Sequence, residues 1–283
     1  MATFTNRATL TYNGKTVDSN IVTGTINETL AVTKTVLEDT YSDGSRLTYV
    51  VSLLNSGVTS LVDVTLSDDL GGYGFGEGTV YPLSYVDGSA AYFINGVLQP
   101  DPAILAGPPL TITGIGVPAG GNTVIIYQAD VTEFAPLGVD GVITNTATAV
   151  GGGVGVVASD SATVGTADEP NLSITKSLTP LVVTEDGALT YTFDIQNTGN
   201  TEAVATDDVV VTDTFDPILN ITSVSLNGIA LTEGTDYTYN ELTGEFATVA
   251  GVITVPAATY EQREDGSFEI VPGSATLVVT GTV

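Results

Sequence analysis

Two lysines in apolar surroundings are the residues whose type and spacing could do chemistry. The chain has only three lysines, and Lys34 and Lys176 each stand in a run of apolar residues and threonines. Burying an ammonium group is costly and favours loss of its proton, which leaves a nucleophilic amine. Beside a carboxamide, and with a carboxylic acid to move protons, such an amine can form an amide bond and release ammonia.

The carboxamides and acids for this reaction occur at repeated positions. Asn145 lies in the segment Ile-Thr-Asn-Thr-Ala-Thr, and Asn6 lies in the related segment Phe-Thr-Asn-Arg-Ala-Thr. Asp68 and Asp213 end two equivalent predicted strands. We predict that these two aspartates act as general acid and base in the crosslinking reaction. Asp63 is a weaker alternative to Asp68.

Two amide bonds follow from this assignment. We predict an intramolecular bond between Lys34 and Asn145, and an intermolecular bond between Lys176 of one copy and Asn6 of another. A purely structural interpretation stays open for each set. The lysines could extend along apolar surface to reach solvent, and the asparagines and aspartates could serve only in turns.

The elements that must position these residues occur twice in the chain. When Lys34 is aligned with Lys176, Tyr49 and Tyr191 follow fifteen residues later, each in a Leu-Thr-Tyr strand. Both copies then continue with an Asn-x-Gly turn, a strand whose apolar residues alternate with polar ones, a hairpin and a long apolar strand. The matched segments are 55–57 with 197–199, 62–68 with 209–213, 95–98 with 227–230, and 121–127 with 273–279.

The two copies differ at their ends. The first continues into the hairpin of Asn145, whereas the second stops at Val283, and a hairpin of the same kind stands at the start of the chain. The composition and short alternating strands are typical of β-sandwiches. We therefore predict an all-β fold of two tandem immunoglobulin-like domains at 26–167 and 168–283. The second lacks its terminal strands, and residues 1–25 form a donor segment.

A missing final strand predicts assembly. It leaves an open sheet edge and an apolar groove, which a strand from another chain can fill. The link from the hairpin to the first domain has five residues, which reach at most about 17 Å, against roughly 40 Å for a sandwich of this size. A neighbouring copy is therefore the easier acceptor. Such a head-to-tail contact does not close, so an open filament is expected.

Composition excludes several kinds of function. The formal charge is −27, from 33 acidic and 6 basic residues, which disfavours nucleic acid and anionic membranes as partners. The chain contains no cysteine, histidine or tryptophan, so it has no disulfide, thiol nucleophile or histidine metal site. We expect the protein to bind no cofactor and no metal, and not to act as an enzyme on external substrates. Solubility explains the acidity best, with divalent-cation binding as the alternative.

The sequence also bears on location. No apolar run is long enough to span a bilayer, and the first residues lack a basic region and an apolar signal core. We expect an extracellular protein on a bacterial cell or spore surface. The missing signal favours assembly inside a mother cell with release by lysis.

These copies resemble the bacterial surface-repeat family known as domain of unknown function 11. The resemblance covers nearly the whole chain. It rests on the strand lysine, the Thr-Tyr strand, the Asn-x-Gly turn, the Ser/Thr-Asp strand and the final Ile-Thr-Asn-Thr-Ala-Thr. It implies immunoglobulin-like sandwiches on bacterial surfaces, and the family's similarity to pilin and adhesin domains implies Lys-Asn isopeptide bonds.

The expected function is mechanical. The chain should be a fibre subunit of a pilus or spore appendage whose partner is another copy of itself. The alternative is an adhesin or stalk module that binds a ligand through the aromatic insertion at 71–93. The tyrosines and phenylalanines of that insertion could equally belong to the core and to packed loops.

Overall fold

The computed structural model describes residues 2–26, 30–154, 157–184 and 187–283. The fold is built from β-strands, with one short 3-10 turn at Ala205–Asp207, which confirms the predicted all-β class. The chain divides into two compact units. Unit 1 comprises residues 1–136 and 142–165, and unit 2 comprises 137–141 and 166–283. Asn27 and Glu28, which belong to the five-residue link between the first hairpin and the first domain, lie outside the described residues. So does the pair Glu185-Asp186, one of the acidic pairs that could bind a divalent cation.

Residues 2–26 form a long antiparallel hairpin, which we call the N-terminal hairpin. Its strands are β1 (Ala2–Asn6), β2 (Thr9–Tyr12), β3 (Lys15–Asp18) and β4 (Val22–Ile26). β1 pairs with β4 so that Asn6 faces Val22, and β2 pairs with β3. Asn13 and Gly14 both have positive φ, as a two-residue hairpin turn requires. Every residue from 4 to 23 is exposed.

The remainder of unit 1 is a sandwich of two antiparallel sheets. Its strands are β5 (Leu30–Val36), β6 (Thr40–Tyr41), β7 (Arg46–Asn55), β8 (Leu61–Asp68), β9 (Tyr73–Phe75), β10 (Gly78–Val80), β11 (Leu83–Tyr85), β12 (Ala91–Ile94), β13 (Val97–Leu98), β14 (Ala103–Leu105), β15 (Leu110–Val117), β16 (Asn122–Val131), β17 (Val142–Gly151) and β18 (Ala158–Thr166). One sheet has the order β13-β12-β16-β7-β5, with β11 also on β16. The other has the order β14-β15-β8-β17-β18-β6.

The core of unit 1 is formed by every second residue of its strands. Along β7 and β16, buried residues alternate with partly exposed ones, so one face of each strand points into the sandwich. β8 lies inside the second sheet, because it pairs with β15 on one side and with β17 on the other. The site described below lies between these two sheets.

Unit 2 repeats the first sheet of unit 1 but only part of the second. Its strands are β19 (Leu172–Thr179), β20 (Ala188–Asn197), β21 (Thr212–Thr214), β22 (Asn220–Leu226), β23 (Ile229–Ala230), β24 (Tyr237–Tyr239), β25 (Glu245–Thr248), β26 (Thr259–Gln262), β27 (Phe268–Val271) and β28 (Gly273–Thr282). The five-stranded sheet runs β19-β20-β28-β22-β23, and a three-stranded sheet runs β21-β25-β24. Residues from both sheets form one apolar core.

The predicted strand at 209–213 is only partly correct. The strand begins at Thr212, and residues 209–211 are not in a ladder. The short partner β25 explains this difference, since it pairs only with residues 212–214. No strand in the described part of unit 2 pairs with the opposite edge of β21.

The ladders give the correspondence between the units. Lys34 faces Val51 across β5 and β7, and Lys176 faces Phe193 across β19 and β20. The Asn-x-Gly turns are also alike. Each asparagine, fully buried, accepts a hydrogen bond from the glycine N–H two residues later and donates to backbone carbonyls across the sandwich. The two sandwiches are therefore built on one plan.

Candidate functional site: a buried lysine, aspartate and asparagine

Lys34 is placed inside unit 1 by the alternation of β5. Leu30, Val32 and Lys34 are 5%, 8% and 3% exposed, while the residues between them face outward. The Lys34 backbone N–H donates to Asp160 on β18 at 2.8 Å. The side chain therefore cannot reach solvent without moving the strand, and the alternative in which Lys34 extends to the surface is wrong.

Asp68 receives the Lys34 ammonium group. It ends β8 on the opposite sheet, is 1% exposed, and lies with its Oδ2 atom 2.5 Å from the Lys34 Nζ atom. Its Oδ1 atom accepts the backbone N–H of Leu70 at 3.1 Å. Asp63, the weaker alternative, is exposed and has a positive φ of 57°. The structure thus brings Asp68, and not Asp63, to the lysine.

Asn145 completes the cluster from β17. Its side chain is fully buried, and its Nδ2 atom donates to the Tyr127 hydroxyl at 3.1 Å. That hydroxyl donates to Asp68 Oδ2 at 2.5 Å. The Asn145 Oδ1 atom is buried and has no hydrogen-bond partner among the described residues. Burying a carboxamide oxygen without a hydrogen bond costs free energy. The packing of the sandwich around Asn145 must therefore offset that cost.

Tyr127 is a residue of the site that the sequence analysis missed as a functional group. It was noted only as part of an apolar strand. A signal was present, because alternation along β16 places Thr123, Ile125 and Tyr127 on the same inward face. A buried tyrosine hydroxyl nearly always finds a partner, and here the partners are the predicted acid and the predicted amide.

Burial sets the electrostatics of the cluster. Desolvation lowers the pKa of Lys34 below its ordinary value, and the attraction of Asp68 only partly opposes it. Burial likewise raises the pKa values of Tyr49 and Tyr127, so both hydroxyls stay neutral. The two rings stack at 5.5 Å, and the Lys34 Nζ atom lies 4.8 Å from the centre of the Tyr49 ring. Desolvation of the buried amine therefore favours the neutral form of Lys34.

This arrangement contains every group that amide formation needs. A neutral amine is a nucleophile, a carboxamide is its electrophile, and a carboxylic acid can donate and accept protons. Asn145 and Lys34 both reach the pair formed by Asp68 and Tyr127. The predicted residues of unit 1 are thus brought together in one buried cluster.

In unit 2 the equivalent lysine is only half covered. Lys176 Nζ forms an ion pair with Asp213 Oδ2, and the two side chains are 40% and 17% exposed. The ammonium group lies over the ring of Tyr191 at 4.4 Å and lies 5.4 Å from the ring of Phe215. Two of the three groups of the predicted intermolecular set are therefore in contact.

The third group of that set, Asn6, belongs to the other unit. It lies in β1 of the N-terminal hairpin, and its side chain is exposed. Lys15 is at the start of β3 beside the turn of that hairpin and is also exposed, as expected for a solvated residue. The Lys176–Asn6 bond therefore stays a prediction about two copies of the chain.

The aromatic insertion at 71–93 is largely packed into unit 1. Tyr85 and Tyr92 are 8% and 7% exposed, and both strands that carry them pair with β16. The Tyr73 hydroxyl donates to the carbonyl of Phe134 at 2.7 Å. These contacts favour a role in the core over an open platform for a ligand.

Two further properties concern metals and membranes. Within residues 2–26, 30–154, 157–184 and 187–283, no group of three or more acidic side chains is arranged to hold a metal ion. The acidic pairs at 68–69, 207–208 and 264–265 fall in these ranges. No helix in the described residues is long and apolar enough to cross a bilayer.

Comparison with known sequences gives no family. No family model matches this chain, and no curated protein matches it. Membership of the surface-repeat family named above therefore stays a prediction.

Solved structures give only weak likenesses. The major pilin subunit BcpA of Bacillus cereus is 13% identical over 96% of this chain and 73% of its own, with a TM-score of 0.36. The full-length major pilin SpaD of Corynebacterium diphtheriae is 13% identical over 86% of this chain, with a TM-score of 0.37. A family 123 glycoside hydrolase from Clostridium perfringens is 8% identical over 49% of this chain, with a TM-score of 0.32.

Neither the pilin likenesses nor the hydrolase likeness carries an argument about function. The chain spans 59% of SpaD and 27% of the glycoside hydrolase.

Proposed function

We propose that this protein is the structural subunit of a self-assembling extracellular fibre. Subunits join head to tail when the N-terminal hairpin of one copy completes unit 2 of the next, and Lys-Asn amide bonds stabilise the product. One observation carries the proposal. The inner face of β19 and the edge of β21 are uncovered in unit 2, at the positions that β17 and β18 cover in unit 1.

Unit 2 offers an apolar acceptor face. Leu172 and Ile174 are 37% and 53% exposed, whereas their equivalents in unit 1, Leu30 and Val32, are almost fully buried. β21 pairs with β25 on one side only, within the described part of the chain. An unpaired strand edge beside exposed apolar side chains is a site for the addition of a strand.

The N-terminal hairpin offers a matching donor face. Along β1 and β2, alternate residues share one side of the strand, and that side carries apolar residues and Asn6. The inward side of β17 has the same order of residue types. The matched positions are Phe4 with Ile143, Asn6 with Asn145, Ala8 with Ala147, and Leu10 with Ala149. The β17 residues are buried, while Phe4 and Leu10 are 52% and 64% exposed.

Charge favours the N-terminal hairpin as the segment that binds to unit 2. Residues 2–26 carry two basic residues against one acidic residue, in a chain whose formal charge is −27. Residues 166–283 carry two basic residues against 18 acidic ones. A weakly positive segment is therefore attracted to a strongly negative acceptor, which speeds encounter and disfavours contacts between two acceptors.

Unit 1 supplies the register of the joint. There Ala147 on β17 faces Asp68 on β8. The same register in the fibre places Ala8 of one copy opposite Asp213 of the next, so that Asn6 reaches the position equivalent to Asn145. Burying each large apolar side chain of the two faces contributes about 1.5–3 kcal/mol.

The chemistry at the joint completes the assembly. Once covered, the Lys176 amine loses the solvent that now stabilises its charge, and Asp213 takes its proton. The Nζ atom then attacks the Asn6 side-chain carbonyl carbon, an amide bond forms, and the Asn6 nitrogen leaves as ammonia. Each lysine reacts once, so the chemistry is single-turnover self-crosslinking.

The test is a boiled denaturing gel of the purified protein, combined with mass mapping of the linked peptides. We expect a ladder of bands containing linked Lys176–Asn6 peptides, and a linked Lys34–Asn145 peptide in every band. Asn6→Ala should abolish the ladder but leave non-covalent filaments visible by electron microscopy. Asn20→Ala, in the same exposed hairpin, is the matched control and should keep the ladder.

Deletion of residues 1–23 separates donor-strand exchange from crosslinking. The truncated chain should remain monomeric by light scattering and should cap the growing ends of full-length filaments. Filaments made by the truncated chain alone would refute donor-strand exchange. A full-length chain that shows neither filaments nor ammonia loss would refute the proposal as a whole.

A further inference from the structure

A tyrosine hydroxyl lies between the acid and the reacting amide in unit 1. Asp68 Oδ2 accepts from Lys34 Nζ at 2.5 Å and from the Tyr127 hydroxyl at 2.5 Å. The same hydroxyl accepts from Asn145 Nδ2 at 3.1 Å. Amine, acid, hydroxyl and amide nitrogen thus form one continuous hydrogen-bonded chain.

The reaction needs a proton at the far end of this chain. When the Lys34 amine attacks the Asn145 carbonyl carbon, Nζ must lose one proton and Nδ2 must gain one before it can leave as ammonia. The acid gives one proton to the amide side and takes one from Nζ, so it is unchanged overall. The hydrogen bond that Nδ2 makes is to Tyr127 and not to Asp68. The hydroxyl therefore lies on the path of the proton.

We propose that Tyr127 is a catalytic residue of the crosslinking reaction, which relays the proton from Asp68 to the departing Asn145 nitrogen. The hydroxyl turns about its C–O bond, passes its own proton to Nδ2 and takes the proton of the acid. Between these events it holds the carboxamide nitrogen by a hydrogen bond. This inference rests on the amide bond of the proposed function.

A second observation separates this hydroxyl from its neighbour. The Tyr49 hydroxyl is buried and does not donate to Asp68, although its ring stacks on that of Tyr127 and lies 4.8 Å from the Lys34 Nζ atom. The two tyrosines therefore share an environment and differ in their contact to the acid, because it is the Tyr127 hydroxyl that donates to Asp68. Tyr49→Phe is consequently a control variant for Tyr127→Phe.

Unit 2 differs at this position. Tyr127 faces Tyr49 across β16 and β7, and the residue that faces Tyr191 across β28 and β20 is Val279. The acceptor unit therefore has the lysine, the acid and a counterpart of Tyr49, but valine, which has no hydroxyl, at the relay position. We expect the Lys176–Asn6 bond to form more slowly than the Lys34–Asn145 bond.

The experiment follows ammonia loss during refolding. Full-length chain is produced as inclusion bodies and dissolved in denaturant before it has folded, so that it is uncrosslinked. It is then refolded and sampled by intact mass and peptide mapping of the Lys34–Asn145 link. We expect Tyr127→Phe to fold and to react at least about a hundredfold more slowly than wild type, the usual size of a proton-transfer contribution. Tyr49→Phe should react within about threefold of wild type, since it leaves the hydrogen bonds between Asp68, Tyr127 and Asn145 in place.

Each outcome has a separate meaning. Equal rates for wild type and Tyr127→Phe would overturn the relay while leaving the amide bond in place. A wild-type chain that folds without losing ammonia would overturn the amide bond and the relay together.

A measurement on the wild type covers the case in which Tyr127→Phe does not fold. The rate of ammonia loss is measured in mixtures of light and heavy water. A relay moves two protons together, so the rate should fall along a curve as the deuterium fraction increases. A straight line would indicate one proton in motion and would overturn the relay.

Discussion

The two units use one plan and differ in what covers their lysine. In unit 1 the Lys34 side chain is fully enclosed, and in unit 2 the Lys176 side chain is 40% exposed. The cause is the presence of β17 and β18 over the first lysine. The same residues are therefore a finished buried cluster in one unit and an accessible half-site in the other. Burial, rather than residue identity, separates them.

The largest contrast should come from removing the acid. Asp68→Ala leaves a buried amine without its partner, which should lower the free energy of unfolding of unit 1 by about 3–5 kcal/mol. Asp213→Ala leaves Lys176 in contact with solvent and should cost no more than about 1 kcal/mol in the monomer. Denaturant unfolding measures both, in an Asn145→Ala, Asn6→Ala background that cannot form either amide.

Equal costs for the two aspartates would contradict the difference in burial. In the background that can crosslink, Asp68→Ala should also abolish ammonia loss at Asn145. Ammonia loss that persists there would show that Asp68 is not the acid.

Two leucines test the uncovered apolar face. Leu30→Ala removes a buried side chain from unit 1 and should destabilise it by about 2–5 kcal/mol. Leu172→Ala, at the equivalent but partly exposed position, should change monomer stability by about 0.5 kcal/mol or less. In filaments of the Asn6→Ala variant, Leu172→Ala should instead raise the subunit concentration at which filaments dissolve.

The effect of Leu172→Ala on filament dissolution tests whether β19 belongs to the acceptor face or to an exposed surface without a partner. Light scattering against dilution gives the dissolution concentration. Ile229→Ala is the control, since it is a 72% exposed apolar residue on an edge strand of unit 2. If both variants shift the dissolution concentration equally, β19 is not the acceptor face.

The last contrast concerns pH. Burial lowers the pKa of Lys34 from its ordinary value of 10.5, so above the folded-state pKa the folded chain binds fewer protons than the unfolded chain. The free energy of unfolding of unit 1 should therefore rise with pH between the folded-state pKa and about pH 10, by at most about 1.4 kcal/mol per pH unit. Above that pH, ionisation of tyrosines in the unfolded chain favours unfolding and reverses the trend.

The pH effect is measured by denaturant unfolding of Asn145→Ala at several pH values. Lys34→Met in the same background is the control, and its unfolding free energy should lack the rise. A rise of equal size in both variants would assign the effect to other groups.

Much of the fold was predictable because turns and alternating strands leave short-range patterns in the sequence. The Asn-Gly turns, the Asn-x-Gly turns and the alternation around Lys34 each follow from short-range rules, and the ladders agree with them. The strand at 209–213 was predicted too long. Local alternation cannot tell whether a neighbouring strand is present to pair with it.

The sequence by itself determined which residues could react. An amine, an acid and a carboxamide recur at matched positions in a chain without cysteine or histidine, and that follows from composition and spacing alone. Only the tertiary structure decided which of them are buried. Burial of Lys34, its contact with Asp68 and the placement of Tyr127 require two sheets to close on each other. Desolvation is a property of that closure, because the free energy of a charge depends on everything around it.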